Sequence, residues 1–142
     1  MKTISLTQPW ATLVAVGAKK IETRSWQTSY RGPILIHASK GFPAWAIRLC
    51  LDEPFLTVLV WAGYRTPVDL LRGFIIASAE LVRIERITSA NVPAEPERSF
   101  GDYTPGRFAW YLENVKPVSP IAAKGALGLW EWNPVEVRAF AE

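Results

Sequence analysis

The sequence predicts an α+β fold, a small β-barrel with attached helices, and three observations carry that expectation. At least five stretches have the length and composition of strands, helix-like segments fall early and in the middle of the chain, and regular strand-helix-strand alternation is absent. A doubly wound parallel sheet needs that alternation, whereas a barrel does not. With 142 residues the chain is long enough for one core, so a single domain spanning 1–142 is expected, without internal repeats or linkers.

Residues 3–6 alternate polar and apolar like a short strand, and Thr7-Gln8-Pro9 offers a helix start with proline in the first turn. Trp10, Leu13, Val14 and Gly17 follow the i, i+3, i+4, i+7 spacing, which gives a helix ended by Gly17. Alternation returns over 21–26, Gly32-Pro33 breaks the chain, and 34–38 is a nearly continuous apolar strand. Apolar residues at helical spacings predict one or two short helices over 42–51 and 54–64. After Gly73 comes the longest β-like run, 74–87, expected to be a central strand. Residues 88–106 hold Pro93, Pro96, Pro105, Gly101 and Gly106 and read as a long surface loop whose tip covers a site. Two further strands are expected at 107–115 and 125–132, and a short closing helix at 134–142.

Composition narrows the function classes. A hydrophobic share of 49% and a charged share of 20% exclude disorder as the default. Sixteen Lys and Arg against 13 Asp and Glu give a net charge of +3, which permits a polyanionic ligand without demanding one. The lone cysteine, Cys50, has no partner for an internal disulfide, and no Cys/His cluster exists to hold zinc. These features, with no signal-peptide pattern at the start, lead to a cytoplasmic protein without metal or other cofactor. The most apolar stretch, 55–62, is far shorter than the roughly 20 residues that cross a bilayer, so no membrane association is expected. Phosphate-binding, dinucleotide-binding, serine-esterase and zinc-protease motifs are all missing.

Charge concentrates at the helix-to-strand junction Gly17-Ala18-Lys19-Lys20-Ile21-Glu22-Thr23-Arg24. Glu22 and Arg24 are two apart and project from one face of a strand, with Lys19 just before it. A lysine beside a carboxylate and an arginine can have its pKa displaced and act as a base, or the cations can grip phosphate. An ion pair between Arg24 and Glu22 that closes the barrel edge fits the same residues.

This segment is similar to the Gly-x-Lys-x-x-Glu-x-Arg signature of the ASCH family, with Gly17, Lys19, Glu22 and Arg24 matching. Gln8-Pro9-Trp10-Ala11, Ile36-His37-Ala38-Ser39-Lys40, Ala123-Lys124-Gly125 and Leu129-Trp130 look like segments of the same family, while 42–71 lies outside them. The resemblance implies a PUA-like barrel whose motif lines a cleft beside the first helix, in a family whose members are proposed to bind RNA or to serve as coactivator modules. It extends the ligand-binding candidates to Gln8 and Lys124. Some small relatives remove the acetyl group of N4-acetylcytidine with a lysine aligned with Lys19, a threonine aligned with Glu22 and a downstream glutamate. Glu22 cannot act as a hydroxyl nucleophile, so that mechanism does not transfer intact, although Lys19 can still serve as a base. For the ribonuclease activity proposed for other relatives, Lys19 with Glu22 would suffice.

Further candidates surround the motif. Trp10 and Trp26 flank it and are the stacking candidates, while Trp110, Trp130 and Trp132 read as core. His37, the single histidine, lies in an apolar strand, and Lys40 follows it, where it could extend a phosphate-binding surface. Glu80 interrupts the central strand and needs either Arg24, Lys19 or water as a partner. Tyr103 and Arg107 border a tight turn and can reach over the cleft, and Glu95 and Glu97 lie where the hydrolase relatives keep their acid. The resulting expectation is an RNA or modified-nucleotide binder with a cleft of Lys19, Glu22, Arg24 and Lys40, rimmed by 88–106. A hydrolase using Lys19 and Glu22 in that cleft is the alternative. A second alternative is an adaptor whose 42–64 insert offers Phe55, Leu59 and Trp61 to a protein partner.

Overall fold

The computed structural model describes residues 1–134, so the closing helix expected at 134–142 lies outside the described residues beyond Pro134. Strands β1 (Lys2–Leu6), β2 (Ile21–Arg24), β3 (Gly32–Ala38), β4 (Phe74–Arg86), β5 (Phe108–Ala122) and β6 (Leu129–Glu131) form one mixed sheet. Their order is β2-β5-β4-β3-β1-β6, with β1 and β3 parallel and the other pairs antiparallel. Helix α1 (Trp10–Ala15) connects β1 to the turn before β2, while α2 (Ala44–Leu49) and α3 (Phe55–Trp61) form the insert between β3 and β4.

The sheet curls into a half-barrel because its two longest strands are repeatedly out of step. Between β4 and β5 the register shifts three times, and each irregularity adds local twist and bend. Asn114 sits at one of them with φ 51°, a left-handed conformation that asparagine tolerates better than branched residues. Alternation along the strands turns Ile4, Leu6, Ile34, Ile36, Ala77, Ala79 and Leu81 into the concave side, where Val14 of α1 and Trp110 complete the main core. A fully buried Ile or Leu there contributes about 2 kcal/mol. A second cluster joins α1 to the insert through Leu13, Cys50, Phe55, Leu59, Leu70 and Phe100.

Two boundaries differ from the sequence reading. Strand β5 continues seven residues past the expected end at 115, through Pro117 and Pro120. Strand β2 pairs with β5 only over Phe108–Tyr111, so the prolines lie on a stretch with one free edge, where a missing N–H breaks no ladder bond. Strand β6 is reduced to three residues of the expected 125–132, and Trp130 and Trp132 are half-buried instead of core. Gly17 does end α1, with φ +83°.

Among the described residues the sheet does not close by a ladder. Strand β6 pairs with β1 only as far as Ile4, and beyond it the Ser5 carbonyl accepts a 2.8 Å bond from Arg24 Nη2 of β2. One guanidinium therefore bridges the open side. The bulge at Asn114 yields a direct test: Asn114→Val should cost about 1–2 kcal/mol in chemical denaturation, because it places a β-branched residue in the left-handed region. Asn114→Gly should be neutral within error.

Candidate functional site

The junction after α1 places Lys19 inside the protein. Its side chain has no solvent exposure. Its Nζ donates to the Phe100 carbonyl at 3.2 Å and lies 3.9 Å from Glu97 Oε2. Burial pulls the Lys19 pKa below the ordinary lysine value, and the charges of Glu22 and Glu97 oppose that shift. The other Glu97 oxygen accepts the Lys20 amide at 2.6 Å, while Oε2 and the buried Tyr103 hydroxyl have no hydrogen-bond partner among the described residues. Burial, and then the nearby carboxylate charges, push the Tyr103 pKa well above that of a free phenol. Position 101 must be small, since a Cβ on Gly101 would lie 2.8 Å from Tyr103 Cε2 and 3.5 Å from Lys19 Nζ.

On the cleft side of this wall, Glu22 and Arg24 form a close pair. Arg24 Nη2 is 3.0 Å and Nε 3.1 Å from Glu22 Oε2, and Glu22 Oε1 accepts the Thr23 amide. Arg107 donates to the carbonyls of Asp102 and Thr23 at 3.2 Å each, which ties the β5 entry to β2. Across from them stands Trp10, whose Nε1 donates to the Phe100 carbonyl at 2.7 Å and whose ring meets Trp45 at 5.8 Å and Phe55 at 6.0 Å. Together these groups enclose a cleft of about 540 Å³, with the Phe100–Gly101 backbone as one wall. That size suits a single nucleotide-sized ligand.

The expected cleft divides into two places. Glu22, Arg24, Arg107 and Trp10 line the one just described, Lys19 lies behind its wall, and Lys40 is elsewhere. Lys40, His37 and Lys124 line a second, larger groove on the other side of β1, with Ser5 in the walls of both. His37 is almost fully buried there: Nδ1 is 2.9 Å from Ser5 Oγ, and Nε2 is 2.8 Å from the Ala123 carbonyl. Since a carbonyl only accepts, the neutral ring carries its proton on Nε2, and Ser5 donates to Nδ1 while accepting Trp130 Nε1 at 3.0 Å. Burial lowers the His37 pKa, against the Ala123 bond that raises it.

Gln8 is enclosed, with Nε2 on the Leu71 carbonyl and Oε1 capping the Thr12 amide of α1. Trp26 packs edge-on against Trp110 at 4.9 Å, away from the cleft. Tyr103 packs with Ile21 and Ile87, and its hydroxyl faces the protein interior. Glu80 is exposed opposite Glu113 and meets neither Lys19 nor Arg24. Sequence reasoning named Glu97 only as lying in an acid-bearing region; its approach to Lys19 depends on the fold of 88–106. The Phe100 carbonyl and Gly101 carried no sequence signal. Among the described residues no cluster of three or more His, Cys, Asp or Glu is arranged to hold a metal, and no helix is long and apolar enough to cross a membrane.

A curled six-stranded mixed sheet with three short helices attached is the fold of a PUA-like α+β domain. The chain belongs to the ASCH domain family, whose model matches residues 4–122. Crystal structures of the ASCH protein from Zymomonas mobilis share the fold. A tyrosine-to-phenylalanine variant aligns with TM-score 0.59 at 17% identity, covering 99% of this chain and 95% of that one. A serine-to-alanine variant gives 0.55 at 16%, covering 99% and 93%, and the unsubstituted protein gives 0.54 at 16%, covering 99% and 92%. No curated protein matches the sequence.

Two stability measurements follow. Lys19→Met leaves Glu97 Oε2 facing the interior without its counter-charge and should cost about 3 kcal/mol; adding Glu97→Gln, which keeps the Lys20 bond, should restore part of it. For His37 the folded pKa lies below the unfolded one, so the unfolded chain binds more protons in acid and stability falls as pH drops below about 6.5. The slope of melting temperature against pH between about 7 and 5 should be shallower in His37→Gln than in the wild type.

Proposed function

We propose that this ASCH domain binds RNA or a modified nucleotide, with one base held in the cleft between Trp10 and Glu22. The observation that supports it most is the pairing of an aromatic wall with a carboxylate and two guanidiniums in a space of nucleotide size. Trp10 presents an indole for stacking. Glu22 spends two acceptor positions on Arg24 and one on Thr23, which leaves lone-pair capacity for an amino or imino N–H on a base edge. Arg24 and Arg107 each use Nε and Nη2 within the protein, so the Nη1 protons remain for phosphate or carbonyl oxygens.

A hydrolase is the second reading, favoured by the lowered pKa of Lys19 and the unpartnered Tyr103 hydroxyl and Glu97 oxygen around it. Against it stands the burial of Lys19, which bonds to the Phe100 carbonyl and is not among the groups that line the cleft: a base must reach the proton it removes. The adaptor reading retains only the outer face of the insert, where Trp61 is 86% exposed, because Phe55 and Leu59 are buried.

A mass-spectrometric screen of wild type and Lys19→Ala against modified nucleosides, N4-acetylcytidine included, and a short single-stranded RNA separates these readings. The expected result is retention of RNA or a nucleoside with every substrate intact. Turnover that disappears in Lys19→Ala would replace the binding module with an enzyme. In parallel, Glu22→Gln should weaken the retained ligand by about tenfold in calorimetry, the effect of exchanging a charged acceptor for a neutral one.

A further inference from the structure

The cleft leaves unexplained the larger groove on the other side of β1, about 1200 Å³ in volume. Ile4, Leu6, Ile36 and Ala38 point into the core, so Ser5 and His37, at the alternate positions, face the opposite side, and the 122–133 segment folds over them. Three cations ring this groove. Lys40 and Lys124 are exposed and, among the described residues, make no ion pair. Arg72 donates to the Lys40 carbonyl at 3.3 Å and lies 5.8 Å over the Phe42 ring, again with no carboxylate partner. The acid in the wall, Glu131, is occupied by Lys2 and the N-terminal amine at 3.0 and 3.1 Å. Among the described residues none of these three cations has a carboxylate partner, so the groove carries local positive charge.

The groove also has a rigid aromatic side. Trp130 is held by its bond to Ser5 Oγ and stands edge-on to His37, with ring centroids 5.5 Å apart. Cations beside fixed indoles are what unpaired nucleotides need: the phosphates neutralise the charges, and bases not locked in a duplex stack on the rings. Ser5 connects this chemistry to the cleft, since its hydroxyl belongs to the groove network and its carbonyl holds Arg24.

We infer that the ligand is a single-stranded oligonucleotide that continues from the cleft, past Ser5, into this groove, where Lys40, Arg72 and Lys124 contact its phosphates. The inference rests on the cleft reading above and narrows it from a nucleotide to a strand. A free nucleotide fills the cleft and leaves the three cations unused; a strand uses both.

The test compares wild type with the combined variant Lys40→Ala, Arg72→Ala, Lys124→Ala. A control removes three cations outside the groove, Arg48, Arg65 and Lys116, by alanine substitution. Fluorescence anisotropy with a labelled short single-stranded RNA, the same sequence as DNA, and a hairpin duplex is recorded over a range of KCl concentrations, and a nucleoside monophosphate is titrated by calorimetry as the cleft probe. The groove variant should bind the single strands at least about tenfold more weakly. Its log-log salt slope should be shallower by about 2, from about 0.7 per lost phosphate contact. Monophosphate binding should persist, and the control should retain most of the strand affinity. RNA and DNA responding alike would place recognition on the shared phosphate chemistry, whereas a response confined to RNA would add the 2′-hydroxyl; both agree with the proposal. Equal affinity and slope in wild type and groove variant, equal losses in variant and control, or tighter binding of the duplex would each overturn the groove assignment while monophosphate binding keeps the cleft reading. Failure of the monophosphate to bind wild type would remove the cleft reading, and the shared path with it.

Discussion

An ammonium group shielded from water organises this molecule. Lys19 has no solvent to satisfy it, so its protons and charge must be met by the protein, and the groups that meet them come from more than 70 residues further along the chain. The Phe100 carbonyl and Glu97 belong to the segment between β4 and β5, which Lys20, Thr23 and Arg107 also tie to the sheet. An uncompensated buried charge costs several kcal/mol, so arrangements in which this segment swings away from Lys19 are strongly disfavoured. Trp10 adds a second donor to the same carbonyl, and Phe100 itself packs into the cluster between α1 and the insert. The wall of the cleft is thus built from behind.

Arg24 has an analogous double role. Strand β6 is too short to cover all of β1, and the carbonyl it leaves free is taken by a guanidinium that also carries Glu22. Closure of the barrel and placement of the carboxylate are one interaction. This explains why a pair that reads equally well as a structural ion pair and as a binding feature can be both: the geometry that spans the gap is the geometry that presents Glu22 to the cleft.

Strands β1 and β2 were legible from alternation and β4 from the length of its β-like run after Gly73, and α1 was legible from its spacing and its terminal glycine. The sequence reading ends β5 at 115, short of the half that contains Pro117 and Pro120, residues excluded from a central strand but not from an edge. The local part of the site, Lys19, Glu22 and Arg24, stood out because four charges, Lys20 included, occur within six residues of a junction. What did not show was long-range. The pairing of Lys19 with Glu97, the separation of Lys40 from the cleft, and the burial of Gln8 by Leu71 and Thr12 all depend on how distant segments meet. A carbonyl acceptor such as Phe100 has no identity that sequence could display.

That same anonymity has a consequence for how the domain can change. Both donors that anchor the wall, Trp10 and Lys19, end on main-chain oxygen. A peptide carbonyl is supplied by every residue type, so the anchor survives exchange of the side chains around it. The side chains of Ser99 and Asp102, which border the cleft from this segment, bond to Glu95, Thr104 and Arg107 and take no part in those two bonds. The cleft surface is free to diversify in a lineage, or to be recoded by design, while the backbone that carries it stays in register with the barrel.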